Sequence, residues 1–357
     1  MNARAFLLSK HFATTHFQQG IDWESRPVTR KMWREKRLAS YLLFAGLGLW
    51  LEKKNEKPDI KKISSDQQYY SFKYAKLNER CNIGHFQLRN LLWATSKNNV
   101  YYMYEDSVRQ WSPQLCSSRE ILNVRTANAP QSRIFTISSM ACAENILFTG
   151  GSKGEFACRR LDDMTAPVHY GITTEHINGI SNHIHITESL IGGIKAIVSS
   201  NDMKTRFINM DTLAIENTIS FPFPVNCSSL CPDKRIMCVV GDATETMIVD
   251  STTGAGIHSV DEHSDFSFAC CWSPNGIMFA TGNQDKTTRI YDIRYPSHAL
   301  HVLGGKAGAI RSLQFSNDGR FLVAAEPIDF VHIYDTKLFE NSQVIDMFGE
   351  ITGVGKW

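Results

Sequence analysis

Long apolar runs are missing from this 357-residue chain. The longest, residues 38–51 (LASYLLFAGLGLWL), has 14 residues, against the roughly 20 that a membrane helix needs. It contains Gly46 and Gly48 and lies between KMWREKR and EKKNEK, so it predicts no membrane span. A locally packed or poorly ordered extension fits it better, with a membrane-surface or partner-docking helix, or an error in the gene model, as alternatives. No secretory signal stands at the N-terminus. There is no C-x-x-C pair, and the nine cysteines are odd in number and scattered, several inside apolar runs. They read as free thiols, small hydrophobes in a reducing compartment. No H-E-x-x-H helix and no P-loop is present, and no long segment of helical period interrupts residues 84–350.

Charge is present but unevenly placed. Residues 1–62 carry 13 Lys/Arg and 6 Asp/Glu, a net of +7; the remainder carries 25 and 30, a net of −5. The body therefore has no nucleic-acid footprint. The basic arm reads as a solvated tail, a nucleic-acid contact being the alternative. At 43% hydrophobic and 21% charged, the chain supports a buried core and excludes general disorder.

A repeat is present as well. Residues 271–292 (CWSPNGIMFATGNQDKTTRIYD) align without a gap on residues 314–335 (QFSNDGRFLVAAEPIDFVHIYD), 43 residues on. Trp272 falls on Phe315, Gly276 on Gly319, and Tyr291-Asp292 on Tyr334-Asp335. The pattern decays upstream through units ending at Asp250, Asn209, Arg160 and near Met103, the last followed by the strand-like SVRQW, which makes six. Each begins with an alternating apolar stretch. A turn follows, such as Ser-Pro-Asn-Gly or Ser-Asn-Asp-Gly, in which glycine supplies the positive φ. Two further strands come next. Short strands at even spacing predict an all-β chain, and a period near 42 predicts propeller blades. By alternation, Trp272 and Phe315 belong to the core.

These units resemble the WD-repeat (WD40, transducin-like) family. The resemblance implies a structural tetrad of His263, Thr281, Asp285 and Tyr291 in one blade. The next blade departs from it, with Ile328 at the Asp position, Asp329 beside it, and Lys306 where the His would be. The strings GHFQLRNLLWATSKNNVYYM, FPFPVN, HSDFSFACCWSPNG, TGNQDKTTRIYDIR, GAIRSLQFSNDGR, AEPIDFVHIYD and IDMFGEITGV resemble more closely an uncharacterised WD-repeat family of plants and fungi, over roughly residues 84–353. Its members continue past Gly-Glu-Ile-Thr-Gly through one more blade. The expected plan is thus a seven-bladed propeller of degenerate repeats over residues 66–357. Its last blade would be incomplete, as in a truncated or alternatively spliced form, and it would follow a basic extension, 1–65, partly helical or disordered.

Chemistry-bearing motifs are few. Residues 149–154 (TGGSKG) look like a phosphate loop but precede a strand, so a blade turn is expected. His183 and His185 share one strand face, yet no local carboxylate or cysteine completes a metal site; exposed histidines on a loop or edge strand are expected. Cys227 and Cys231 read as core. Asp202, Asp242 and Asp285 recur in successive blades, where Asp in a turn bonds its own backbone. No catalytic, cofactor-binding or metal-binding residue is assigned.

Residues 279–294 (FATGNQDKTTRIYDIR) resemble the box by which WD-repeat substrate receptors dock on the adaptor of cullin-RING ubiquitin ligases. Ala280, Thr281, Asp285, Ile290, Tyr291 and Asp292 match it, with Tyr for the more usual Trp, and Arg294 would be the protruding charge. Lys306 and Arg311 occupy equivalent loop positions near the start of a blade, where binding surfaces form. The functional expectation is a non-enzymatic protein–protein scaffold of nucleus or cytoplasm, KMWREKR leaning nuclear. The alternative is the ligase substrate receptor; a nucleic-acid-associated protein or a propeller enzyme ranks below both.

Overall fold

The computed structural model describes residues 6–8, 23–44, 58–71, 74–76, 81–82, 85, 90–125, 134–190 and 192–355. Gly46 and Gly48 lie outside them, as does most of GHFQLRN. A short pair, β1 (Phe6–Leu8) and β2 (Tyr74–Lys76), and one helix, α1 (Arg30–Phe44), accompany six four-stranded antiparallel sheets. Blade 1 is β3 (Leu92–Ser96), β4 (Asn99–Tyr104), β5 (Ser107–Ser112) and β6 (Ser117–Asn123). Blade 2 is β7 (Ile137–Ala143), β8 (Ile146–Gly151), β9 (Glu155–Arg160) and β10 (His169–Ile172). Blade 3 is β11 (Ser181–Glu188), β12 (Ile194–Ser200), β13 (Lys204–Asn209) and β14 (Ile215–Ser220). Blade 4 is β15 (Val225–Leu230), β16 (Ile236–Gly241), β17 (Thr246–Asp250) and β18 (Gly256–Val260). Blade 5 is β19 (Ser267–Trp272), β20 (Met278–Asn283), β21 (Thr287–Asp292) and β22 (His301–Gly304). Blade 6 is β23 (Ser312–Phe315), β24 (Phe321–Ala325), β25 (Ile328–Asp335) and β26 (Ser342–Glu350). Each sheet pairs its strands in sequence order.

The described residues form six blades, and the expected seventh is not among them. Residues 351–355 carry no strand. Ile351 N donates to Pro327 O (2.8 Å) and Leu91 N donates to Thr352 O (3.1 Å), so this stretch bridges blade 6 and the entry to blade 1. A strand needs a ladder partner, and none is offered to it among the described residues.

The first turn of each blade explains why the repeat decays. In blades 5 and 6 the same hydrogen bonds close it: Gly276 N to Ser273 O and Gly319 N to Ser316 O, both 2.9 Å. Both glycines are left-handed, with φ of 69° and 71°. Blade 4 builds the same turn, Lys234 N to Cys231 O at 2.8 Å, with Lys234 at φ 62°. A lysine takes the glycine's conformation there at a cost of about 1–2 kcal/mol, and the motif vanishes while the turn survives.

Successive blades bury apolar faces on one another. Tyr101 and Met103 meet Met140 and Leu147 between blades 1 and 2, and Phe148 and Phe156 meet Ile184 and Val198 between blades 2 and 3. Phe207 meets Val239 between blades 3 and 4. Cys238 and Ile248 meet Trp272, Phe279 and Tyr291 between blades 4 and 5, and Ile290 meets Phe315 and Tyr334 between blades 5 and 6.

The basic arm is not only a solvated tail. Thr29 caps α1, its Oγ1 accepting from Met32 N at 3.2 Å. Arg30, Arg34 and Arg37 then fall on one helical face. Arg34 Nε donates to Asp329 Oδ2 (2.7 Å) and its Nη2 to Asp346 (2.6 Å). Arg37 pairs with Asp329 and Arg30 with Asp346 (2.9 Å). The three guanidiniums lie 4.6–5.0 Å from the Phe348 ring, and Trp23 meets that ring edge-on at 4.8 Å. Residues 58–71, which contain the 65/66 division, run along blades 5 and 6: Lys61 N donates to Val302 O and Ser342 N to Ser64 O.

Candidate functional site

Blade 5 builds a hydrogen-bonded line from its core to its incoming loop. His263 is buried before β19. Its Nε2 lies 2.8 Å from Thr281 Oγ1 and its Nδ1 2.9 Å from Asp285 Oδ2. Asp285 also accepts from Thr287 N (2.8 Å) and Thr287 Oγ1 (2.6 Å). Burial alone would raise the Asp285 carboxyl; the His263 and Thr287 hydrogen bonds win and hold it down at about 2. Tyr291 is fully buried and stacks on Phe279 (4.9 Å), and burial next to Glu262 pushes its phenol well up.

Blade 6 pins the same loop with other residues. Lys306, Ala324 and Ile328 stand where blade 5 has His263, Thr281 and Asp285. Glu326, fully buried, accepts from three successive amides, Lys306 N (2.7 Å), Ala307 N (2.6 Å) and Gly308 N (2.5 Å), and meets His332 Nε2 at 2.7 Å. Asp329, also fully buried and at φ 66°, turns instead to Arg34 and Arg37.

At the start of the inner strands a collar of side chains passes from blade to blade. The inner strands of blades 2 to 5 are bulged at Ser138, Asn182, Asn226 and Phe268. Ser138 Oγ donates to Ser181 O (2.8 Å), Asn182 Nδ2 to Val225 O (2.9 Å) and Asn226 Nδ2 to Ser267 O (3.0 Å). Arg311, one repeat beyond Phe268, lies 3.4 Å from the centre of its ring and donates to Gln284 Oε1 (2.9 Å). Arg311 is thus a buried collar residue, and Lys306, exposed with its Nζ 5.4 Å from the Phe330 ring, is not its surface equivalent.

The three recurrent aspartates do different jobs. Asp202 forms a buried pair with Arg206 (2.5 Å), Asp242 accepts from Asn226 Nδ2 (2.8 Å), and Asp285 holds His263. Burial raises Asp242, against the pull of Asn226 and Arg311.

On the opposite end of blade 5, the 279–294 box is ordinary blade up to its last residues. Asp292 is 7% exposed and accepts from Arg294 N (2.9 Å) and Arg294 Nη2 (2.6 Å). The Arg294 side chain, 63% exposed, folds back on that carboxylate instead of projecting free.

His183 and His185 lie on the first strand of blade 3, half-buried, and line a cavity of about 330 Å³ with Trp93, Cys270 and Trp272. They sit on an edge strand of their sheet but are half-buried and not exposed, and burial pushes His185 down to about 4. Among the described residues, no group of three or more His, Cys, Asp or Glu converges to hold a metal. None of the nine cysteines forms a disulfide, and Cys227 and Cys231 are buried. Residues 150–154 also spell G-x-S-x-G, the hydrolase elbow, but the turn joins strands β8 and β9, so neither an elbow nor a phosphate loop is built. No helix among the described residues is long and apolar enough to cross a membrane.

Comparison with known proteins agrees with this architecture. Residues 254–292 match the WD domain, G-beta repeat, and residues 308–346 match an uncharacterised protein domain, DUF2415. An uncharacterised protein of Schizosaccharomyces pombe is 24% identical over 281 residues, 73% of this chain and 76% of that protein. The guanine nucleotide-binding protein subunit beta of Oryza sativa is 26% identical over 127 residues, 34% of this chain and 33% of that one. A chain in the crystal structure of the mitotic checkpoint complex superposes with a TM-score of 0.61 at 14% identity, covering 76% of this chain and 84% of that chain, which is a likeness of fold. With a WD repeat matched in blade 5 and the same four-stranded meander six times over, this chain is similar to the WD-repeat β-propellers.

Proposed function

We propose that this protein is a non-catalytic docking platform for other proteins, working in the nucleus or cytoplasm. One observation carries the reading: among the described residues, the buried carboxylates are spent on structure. Asp285 holds His263, Asp202 holds Arg206, Glu326 holds a loop, and Asp329 holds α1. A catalytic site would keep such a group aimed at a substrate. What this leaves is six packed blades whose loops and inner cavity offer preorganised surfaces, and preorganisation favours binding. Arg30, Arg34 and Arg37 are engaged by carboxylates, which takes them away from a phosphate backbone.

A second reading, the ligase substrate receptor, is favoured by Arg294, exposed at the end of the 279–294 box. Its pairing with Asp292 would have to be exchanged for an acidic group of the adaptor. Affinity purification of the wild type and of Arg294→Ala separates the two. Under the general platform reading, the same proteins co-purify with both. Under the receptor reading, the adaptor comes with the wild type and is lost from Arg294→Ala.

A further inference from the structure

In blades 3, 4 and 6 the hairpin from the third strand to the fourth is a closed turn. Leu213 N donates to Asn209 O (2.8 Å), Gly254 N to Asp250 O (2.9 Å) and Phe339 N to Asp335 O (3.2 Å). Blade 5 departs from this. Its Asp292 O accepts from Tyr295 N (3.0 Å), one residue earlier in the turn, and the chain runs on to Leu300 before β22 begins. It is tied down again where Ala299 N donates to Glu262 Oε2 (2.9 Å) and Leu300 N to Ile290 O (2.7 Å). Between the ties stand Tyr295, 76% exposed, half-buried Pro296, and exposed Ser297 and His298. An exposed loop tip of this kind is where another enzyme reaches a folded chain.

Ser297 is what this loop offers for chemistry. Its hydroxyl has no hydrogen-bond partner among the described residues. Three residues before it stands Arg294, exposed and bonded to Asp292 through Nε (2.9 Å) and Nη2 (2.6 Å). An exposed pair of this sort is worth about 0–1 kcal/mol, so Arg294 can turn to a new anion. An arginine three positions before an accessible hydroxyl is what arginine-directed protein kinases read: the guanidinium meets acidic groups of the kinase while the hydroxyl reaches the nucleotide. The same spacing recurs at Arg26–Thr29, Arg37–Ser40, Arg109–Ser112 and Arg133–Thr136, in other settings. Thr29 caps α1, and Ser40 lies within α1 while Arg37 pairs with Asp329. Ser112 Oγ accepts from Leu115 N (3.4 Å) and Arg109 is half-buried; Arg133 lies outside the described residues.

We propose that Ser297 is a phosphorylation site for a serine kinase that reads Arg294, and that the phosphate then takes Arg294 from Asp292. Ser297 Oγ attacks the γ-phosphorus of ATP, the bond from that phosphorus to the bridging oxygen breaks, ADP leaves with the electron pair, and the hydroxyl proton passes to a base of the kinase. A phosphoserine carries about −1.5 to −2 charges at pH 7 and three acceptor oxygens, so it outcompetes one carboxylate for a guanidinium within reach. Asp292 keeps the backbone amide of Arg294 (2.9 Å). Where the 279–294 box docks an acidic adaptor, this withdraws its arginine; the assignment of Ser297 itself rests on neither reading above.

The test uses the whole folded chain, ATP and a purified serine kinase selective for arginine three residues before its acceptor. Incorporation is read by intact mass and its position by peptide mapping, on the wild type, Ser297→Ala and Arg294→Gln, with circular dichroism verifying each fold. The expected result is phosphate at Ser297 in the wild type, none in that loop in Ser297→Ala, and a kcat/KM for Arg294→Gln lowered at least about ten-fold. In the phosphorylated wild type, titration by phosphorus NMR should place the second phosphate ionisation below that of a synthetic phosphopeptide of residues 295–300, which lacks Arg294. A folded chain that takes no phosphate, takes it at Thr29 or Ser40 and not at Ser297, or takes it equally well as Arg294→Gln overturns the proposal. So does an ionisation equal to that of the peptide, because the phosphate would then leave Arg294 on Asp292.

Discussion

Replacing Asp285 by Asn keeps the shape of the side chain and removes its charge. In the wild type one carboxylate oxygen faces Thr287 N and Thr287 Oγ1, and the other faces His263 Nδ1 and, at 3.3 Å, Ser264 N. An asparagine can accept on one side only; its NH₂ then points at a donor on the other. The carboxyl is held at about 2 against an ordinary 3.8, and that difference corresponds to about 2 kcal/mol of stability at neutral pH. An orphaned buried donor adds about 1 kcal/mol or more. For a ring of this size the sum of about 3 kcal/mol lowers Tm by roughly 5 °C. Thermal melting followed by tryptophan fluorescence suits the assay, since Trp272 lies in the same core cluster. The sign with pH is fixed. A depressed carboxyl contributes its stability above the unfolded value and loses it as pH falls through the folded one. The gap between wild type and Asp285→Asn should therefore hold from pH 7 down to about 4 and narrow below that. A variant melting within 1 °C of wild type at pH 7, as an order-of-magnitude threshold, would refute the argument that this line of hydrogen bonds secures blade 5.

Three other outcomes follow from the same geometry. Arg34→Ala leaves Asp329 buried with one arginine fewer, so α1 should loosen from blade 6; limited proteolysis should cut within residues 26–44 faster, and Arg34→Lys should restore only part of the protection. Glu326→Gln replaces an acceptor of three amides by a group that donates on one side, and hydrogen exchange at residues 306–308 should rise, with a stability loss of about 2–3 kcal/mol in urea unfolding. In the native state a thiol reagent should modify exposed Cys116 promptly and spare Cys158, whose thiol burial pushes up to about 12, until the chain unfolds.

How far these features were legible in the sequence depended on distance along the chain. Blades 5 and 6 could be read because their turns keep Gly276 and Gly319. Blade 4 was harder because Lys234 adopts the same backbone without the marker residue. The collar left a signal that was there to be read, since Ser138, Asn182, Asn226, Phe268 and Arg311 recur at 42–44 residues, once per blade. Without the bulge in view, Arg311 looked like a loop residue. The α1 clasp left none: Arg34 and Asp329 are 295 positions apart, and only the folded ring brings them together. Blade 6 shows the limit of motif reading. It lacks the tetrad, yet Glu326 does the loop-pinning work from a position where blade 5 has Asn283. The blade count among the described residues turns on 351–355, where an apolar start suggests a strand but no described residue is a ladder partner.

The central claim is that this protein works by holding other proteins. It is tested most directly by the native mass of the endogenous protein in gently lysed cells, read by native gel and light scattering. The account predicts a species heavier than the lone chain that includes at least one other protein in fixed ratio. A free monomer with no stoichiometric companion would contradict it.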